Sequence, residues 1–181
     1  ALKTILTSIF TDWRLVSAGT NLLVYTKASA DAPGYAYTLN PSNGNLAKVL
    51  GPLNGLAVVP DASGTRLVYS YIDGGAAKSS AKNLQSGAIT GILPVTLAEK
   101  CVWSAKNKGV VYCASPVDGV RTNEPDNWYR GTTHFSDRLW RFDTNGEIAQ
   151  IIFEPKASLG LDVDVVEPKL SPIEDYLIFI N

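Results

Sequence analysis

Three short segments recur along this chain at almost constant spacing, and that spacing limits the fold more than any other feature. Leu22-Leu23-Val24-Tyr25-Thr26, Arg66-Leu67-Val68-Tyr69-Ser70 and Val110-Val111-Tyr112-Cys113 align with one another. Tyr25 and Tyr69 lie 44 residues apart, and Tyr69 and Tyr112 lie 43 apart. Tyr176-Leu177-Ile178-Phe179-Ile180 reads as a fourth copy, with Phe179 in the tyrosine slot. It follows Tyr112 by 67 residues, as an inserted loop requires. Tight-turn pairs run in parallel: Asn43-Gly44, Ser86-Gly87 and Asn145-Gly146. Gly tolerates φ > 0 without steric cost and Asn is next, so such pairs favour short hairpin turns.

Each repeat reads as four strands. In the second, these are Gly55–Val59, Thr65–Ile72, Lys78–Asn83 and Ala88–Leu93, separated by clusters of Gly, Pro, Asn, Asp and Ser. Strand-sized runs of Val, Ile, Leu and Tyr between such clusters indicate hairpins, and no stretch carries a capped helical period. A unit of 40–45 residues with four strands predicts a blade of a β-propeller. One blade cannot bury both faces, so blades stack around an axis. Their inner strands, here Leu56-Ala57-Val58-Val59 and Cys101-Val102-Trp103, are the most apolar.

The expected organisation is a single all-β propeller domain, or a fragment of one, over residues 1–181. Residues 1–6 form an outer strand, because Leu2–Leu6 aligns with Leu46–Leu50 at the repeat offset. Blades follow at 7–50, 51–93 and 94–155. Residues 156–181 form the first half of a further blade, and residues 116–137 are the inserted loop. Three closures are open: a fragment of a larger ring, a pair of copies closing one ring, or a four-bladed ring closing alone. Heterologous contacts between identical chains permit the second. The chain contains no Met, even at position 1, which reads as a processed, cropped or engineered piece.

The segment Leu170-Ser171-Pro172-Ile173-Glu174-Asp175-Tyr176-Leu177-Ile178-Phe179 resembles the repeat of the WD40-like and TolB-like propellers. So does Val59-Pro60-Asp61-Ala62-Ser63-Gly64-Thr65-Arg66-Leu67-Val68-Tyr69, and Leu139-Trp140-Arg141-Phe142-Asp143 is similar to the family's third strand. The resemblance implies the fold and no particular activity. The chain lacks the Trp-Asp and Gly-His pairs of true WD40 repeats, so their interblade hydrogen-bond network is not implied.

The insertion is the most individual stretch. It carries Asp126, Trp128, Tyr129, Arg130 and His134. Trp, Tyr and Arg dominate binding hot spots, and an exposed Trp-Tyr pair beside Asp and Asn suits a sugar. One reading is a contact surface for a protein or glycan; the other is that Trp128 and Tyr129 fold back and plug the end of a blade. Cys101 and Cys113 flank a hairpin centred on Asn107. Opposed antiparallel residues lie about 4.5–5.5 Å apart, within reach of a disulfide. A bridge would suit an extracytoplasmic compartment, periplasmic or secreted; two small buried thiols are the alternative.

Other chemistry is missing from the sequence. The net charge of −1 argues against nucleic acid as a partner. No apolar run is long enough for a membrane helix, and the start carries no signal peptide. The single histidine has no marked nucleophile near it, so no catalytic residue is assigned. No metal site and no cofactor are expected. Asp143–Glu147 reads as a hairpin turn, and Asp162–Glu167, alternating acidic and apolar, as a half-buried strand. The expected role is a non-catalytic binding or scaffold module. The alternatives are the propeller part of a hydrolase or peptidase, and a self-assembling protein that closes rings between chains.

Overall fold

A computed structural model describes residues 4–181 and is all-β, with 13 strands in antiparallel sheets. A seven-stranded sheet runs in sequence order through β1 (Trp13–Ala18), β2 (Asn21–Thr26), β3 (Pro33–Leu39), β4 (Leu46–Pro60), β5 (Arg66–Asp73), β6 (Ala76–Asn83) and β7 (Ile89–Gly91). A four-stranded sheet has the order β11 (Ile148–Phe153), β10 (Asp137–Asp143), β9 (Val110–Pro116), β8 (Cys101–Trp103). A two-stranded sheet pairs β12 (Val166–Leu170) with β13 (Leu177–Ile180). Two short helices, α1 (Asp126–Tyr129) and α2 (Pro155–Leu159), and a 3-10 turn at Ala98–Lys100 complete the chain. The two helices have four and five residues, too short to leave a 3.6-residue period in the sequence.

The repeating aromatic positions share one role. Tyr25, Tyr69, Tyr112 and Phe179 lie on β2, β5, β9 and β13, each hairpin-paired with the strand before it. The Asn-Gly and Ser-Gly pairs fall in the turns before β4, β7 and β11.

β4 is unusual in spanning 15 residues. Its first part pairs with β3 and its second part with β5, and the register shifts between Asn54 and Ala57. Gly55 sits at that bend with φ 63°, where a side chain would be strained. At the opposite end of these strands, the β1–β2 and β4–β5 turns interlock. A Cβ on Gly19 would lie 2.4 Å from the Ser63 carbonyl oxygen, and one on Gly64 2.4 Å from that of Ala18. Both glycines have φ > 0, and only glycine fits this close approach.

The core follows from the apolar runs. Leu23, Leu56, Val58 and Leu67 bury one cluster; Ala57, Val68, Val111, Cys113, Trp103 and Phe142 bury a second between sheets. Leu139, Val163 and Val165 form a third, against which Leu177 and Phe179 pack. The Trp103 indole N–H, 3.0 Å from the Val59 carbonyl, fastens β8 to β4.

Two expectations need correcting. Of the proposed outer strand at Leu2–Leu6, Leu2 and Lys3 lie outside the described residues, and Thr4, Ile5 and Leu6 are not in a strand. Asp162–Glu167 is not a half-buried strand either. Only Val166 and Glu167 belong to β12, while Val163, Asp164 and Val165 are all buried. The alternation fails because Asp164 has a buried cation to face.

Candidate functional site

That cation is Lys100, which ends the 3-10 turn entering β8 and is wholly buried. Desolvating an ammonium group is expensive unless charges and hydrogen bonds replace its water. Here Nζ donates to Asp137 Oδ2 at 2.7 Å, to the Val165 carbonyl at 3.0 Å and to Asp164 Oδ1. It also lies 4.8 Å from the Trp128 ring centroid and 4.9 Å from that of Phe135, within cation–π range. Burial pushes the Asp137 carboxyl above its ordinary range, against the opposing pull of Lys100 and the Val165 N–H. Asp137 Oδ1 is buried with no hydrogen-bond partner among the described residues.

Asp164 gathers the insertion onto this ion triad. Its carboxylate accepts the Trp128 indole N–H at 3.2 Å and the Phe135 backbone N–H at 3.2 Å. His134 Nδ1 stands 3.5 Å away, with its side chain 83% exposed.

A second buried contact lies on the other side of α1. The Tyr129 hydroxyl donates to Glu99 Oε2 at 2.5 Å. Burial raises the Glu99 carboxyl, opposed by the Tyr129 hydrogen bond and by Arg14. Burial, then the Glu99 charge, holds the Tyr129 phenol far above its usual range, and Tyr25 is raised by the same two causes. Lys27 Nζ sits 5.9 Å from the Tyr129 ring centroid.

Within the insertion, Glu124 acts as an internal clasp. It is fully buried, accepts the Trp128 backbone N–H at 2.8 Å and accepts the Thr133 hydroxyl at 2.7 Å. Asp126 Oδ2 accepts the Ala30 N–H at 2.6 Å. A Cβ on Gly55 would meet the Glu124 carbonyl oxygen at 3.4 Å. The insertion therefore touches the seven-stranded sheet at Ala30, Lys27 and Gly55, the turn entering the four-stranded sheet at Glu99 and Lys100, and the approach to β12 at Asp164. It lies where all three sheets converge.

The residues singled out from the sequence divide accordingly. Trp128 and Tyr129 are half-buried, with their polar tips turned inward. Asp126 ties the insertion to the first sheet, while Arg130 and His134 are exposed. Cys101 and Cys113 are paired directly across β8 and β9 and are joined by a disulfide, with Cα atoms 4.1 Å apart. Ala57 and Ser70 occupy the matching pair on β4 and β5. Sequence reasoning missed Glu99, Lys100, Glu124, Asp137 and Asp164. The available signal was a pair of charges, Glu99-Lys100, set directly before the apolar run Cys101-Val102-Trp103. Among the described residues, no group of three or more His, Cys, Asp or Glu side chains is placed to hold a metal. No helix among them is long and apolar enough to cross a membrane.

No family model matches the chain, and no curated protein does. Solved structures do. The tricorn protease superposes with a TM-score of 0.58 at 13% identity, over 91% of this chain and 15% of its own. TolB from Acinetobacter baumannii superposes with a TM-score of 0.61 at 10% identity, over 99% of this chain and 40% of its own. Both are β-propeller proteins, and the likeness makes this chain propeller-like in fold. The chain spans less than half the length of either.

Proposed function

We propose that the chain is an arc of a β-propeller serving as a non-catalytic binding module, with the insertion forming its contact rim. In this reading the strands divide into blades at 7–50, 51–93 and 94–155, with 156–181 beginning another. The inner strands are β1, the second part of β4, β8 and β12. The partner is a protein or a glycan. The observation that carries the reading is the anchoring of the insertion: Glu124, Trp128 and Tyr129 hold it rigidly while Arg130 and His134 remain exposed. Rigid support beneath exposed polar groups lowers the ordering cost of binding. The disulfide supports an extracytoplasmic setting, because such bonds persist in oxidising compartments.

The reading is tested by screening the protein against arrayed glycans and peptides, and in parallel against chromogenic ester, glycoside and peptide substrates. Binding without turnover, weakened by Arg130→Ala or His134→Ala, is expected. Turnover of any substrate would move the chain to the hydrolase or peptidase alternative.

A second reading has its own observation. Leu15 on β1 and Ile178 and Ile180 on β13 are apolar yet 58–60% exposed, at opposite ends of the stack of sheets. A second copy could cover them and close a ring. Light scattering after gel filtration tests this: a stable dimer supports closure between copies, and a compact monomer removes it.

A further inference from the structure

A cleft of about 410 Å³ opens beside α1, between the segment leading into β1 and the end of β2. Its walls include Phe10, Thr11, Asp12, Lys27, Ser29 and Asp126. Its size falls in the small-ligand range, roughly 300–1,000 Å³. Phe10 is 42% exposed but not loose: its ring packs edge-on against Trp13 at 5.4 Å and lies tilted against Tyr35 at 6.2 Å. The cleft therefore has a supported aromatic wall, with donors and acceptors arranged around it.

The charges decide the ligand class. An organic cation would be drawn to Asp12 and Asp126 but would meet Lys27. An anion would meet both carboxylates. A neutral polyhydroxyl ligand uses all three, because each hydroxyl both donates and accepts. Asp126 is held by the Ala30 N–H through Oδ2, so its position is fixed before a ligand arrives. The apolar face of a sugar ring has Phe10 to lie against.

We infer that this cleft binds a neutral saccharide, with Phe10 as its platform and Asp12, Asp126 and Lys27 reading its hydroxyls. The inference rests on the binding-module reading above and gives that module a ligand class.

The test is calorimetric titration of the intact 181-residue chain with cellobiose, maltose and N,N′-diacetylchitobiose, with argininamide and citrate as charged controls. At least one disaccharide is expected to bind with a millimolar Kd or tighter. Phe10→Ala and the exposed-site change Asp12→Asn are each expected to weaken it about tenfold, or about 1.4 kcal/mol. Thermal unfolding of both variants confirms that they fold, and Asp12→Asn keeps the test open if Phe10→Ala loosens the Trp13 cluster. No disaccharide binding, or binding unchanged in both variants, overturns the inference. Binding of argininamide or citrate alone overturns the saccharide class and leaves the binding module standing. Cleavage of a bound disaccharide overturns the module reading and leaves the ligand class in place.

Discussion

Glu99 is held in a site that disfavours its charge. Its carboxyl is raised chiefly by burial, so between its unfolded and folded pKa values the native state binds more protons than the unfolded chain. Stability from this group therefore falls as pH rises through that window and is restored as pH drops back. Glu99→Gln keeps an acceptor for the Tyr129 hydroxyl and removes the penalty. The variant is expected to melt higher than the parent at neutral pH, with the gap closing as pH falls from the raised folded-state value to the ordinary Glu value; thermal unfolding across pH checks it. Lys100, by contrast, holds its neighbours in place. Lys100→Met leaves Asp137 and Asp164 facing each other without their cation, and breaking such a buried set costs about 3–5 kcal/mol. Denaturant unfolding should show that loss, and a change below about 1 kcal/mol would mean the carboxyls adjust by taking up a proton. Neither site was legible in the sequence. Lys100 lies 37 residues from Asp137 and 64 from Asp164, and no local pattern records such a meeting.

At the scale of elements, the sequence was far more informative. Periodic Tyr and Phe positions landed on strands with one shared role, and the Gly-containing pairs landed in turns, because both are local consequences of backbone geometry. The pairing of Cys101 with Cys113 was legible for the same reason: a hairpin register follows from its turn. The short helices were not legible, since α1 is held by Glu124 and by what lies beneath it. The disulfide staples β8, only three residues long, to β9. Replacing both cysteines by alanine is expected to lower stability by about 2–4 kcal/mol. Unfolding of the double variant beside the oxidised parent measures it. The interlocked turns at Gly19 and Gly64 are a second device of this kind, holding successive hairpins together through backbone contact alone.

For the whole molecule, the insertion acts as a central clamp. It reaches segments next to all three sheets through Asp126, Tyr129, Trp128 and Phe135, so it fixes their mutual angles along one rim. Replacing residues 119–134 with a short Asn-Gly turn is expected to leave strand content intact by circular dichroism while the radius of gyration from X-ray scattering rises. An unchanged radius would mean that the sheets hold one another without the clamp.

β4 carries one more consequence. Its 15 residues serve two hairpin sets without a break, whereas the path from β7 to β8 is a run of irregular chain and a single 3-10 turn. Under tension between the two ends, the first seven strands would resist as one mechanical block. The molecule would part between sheets rather than within this block, because no backbone ladder crosses from one sheet to the next.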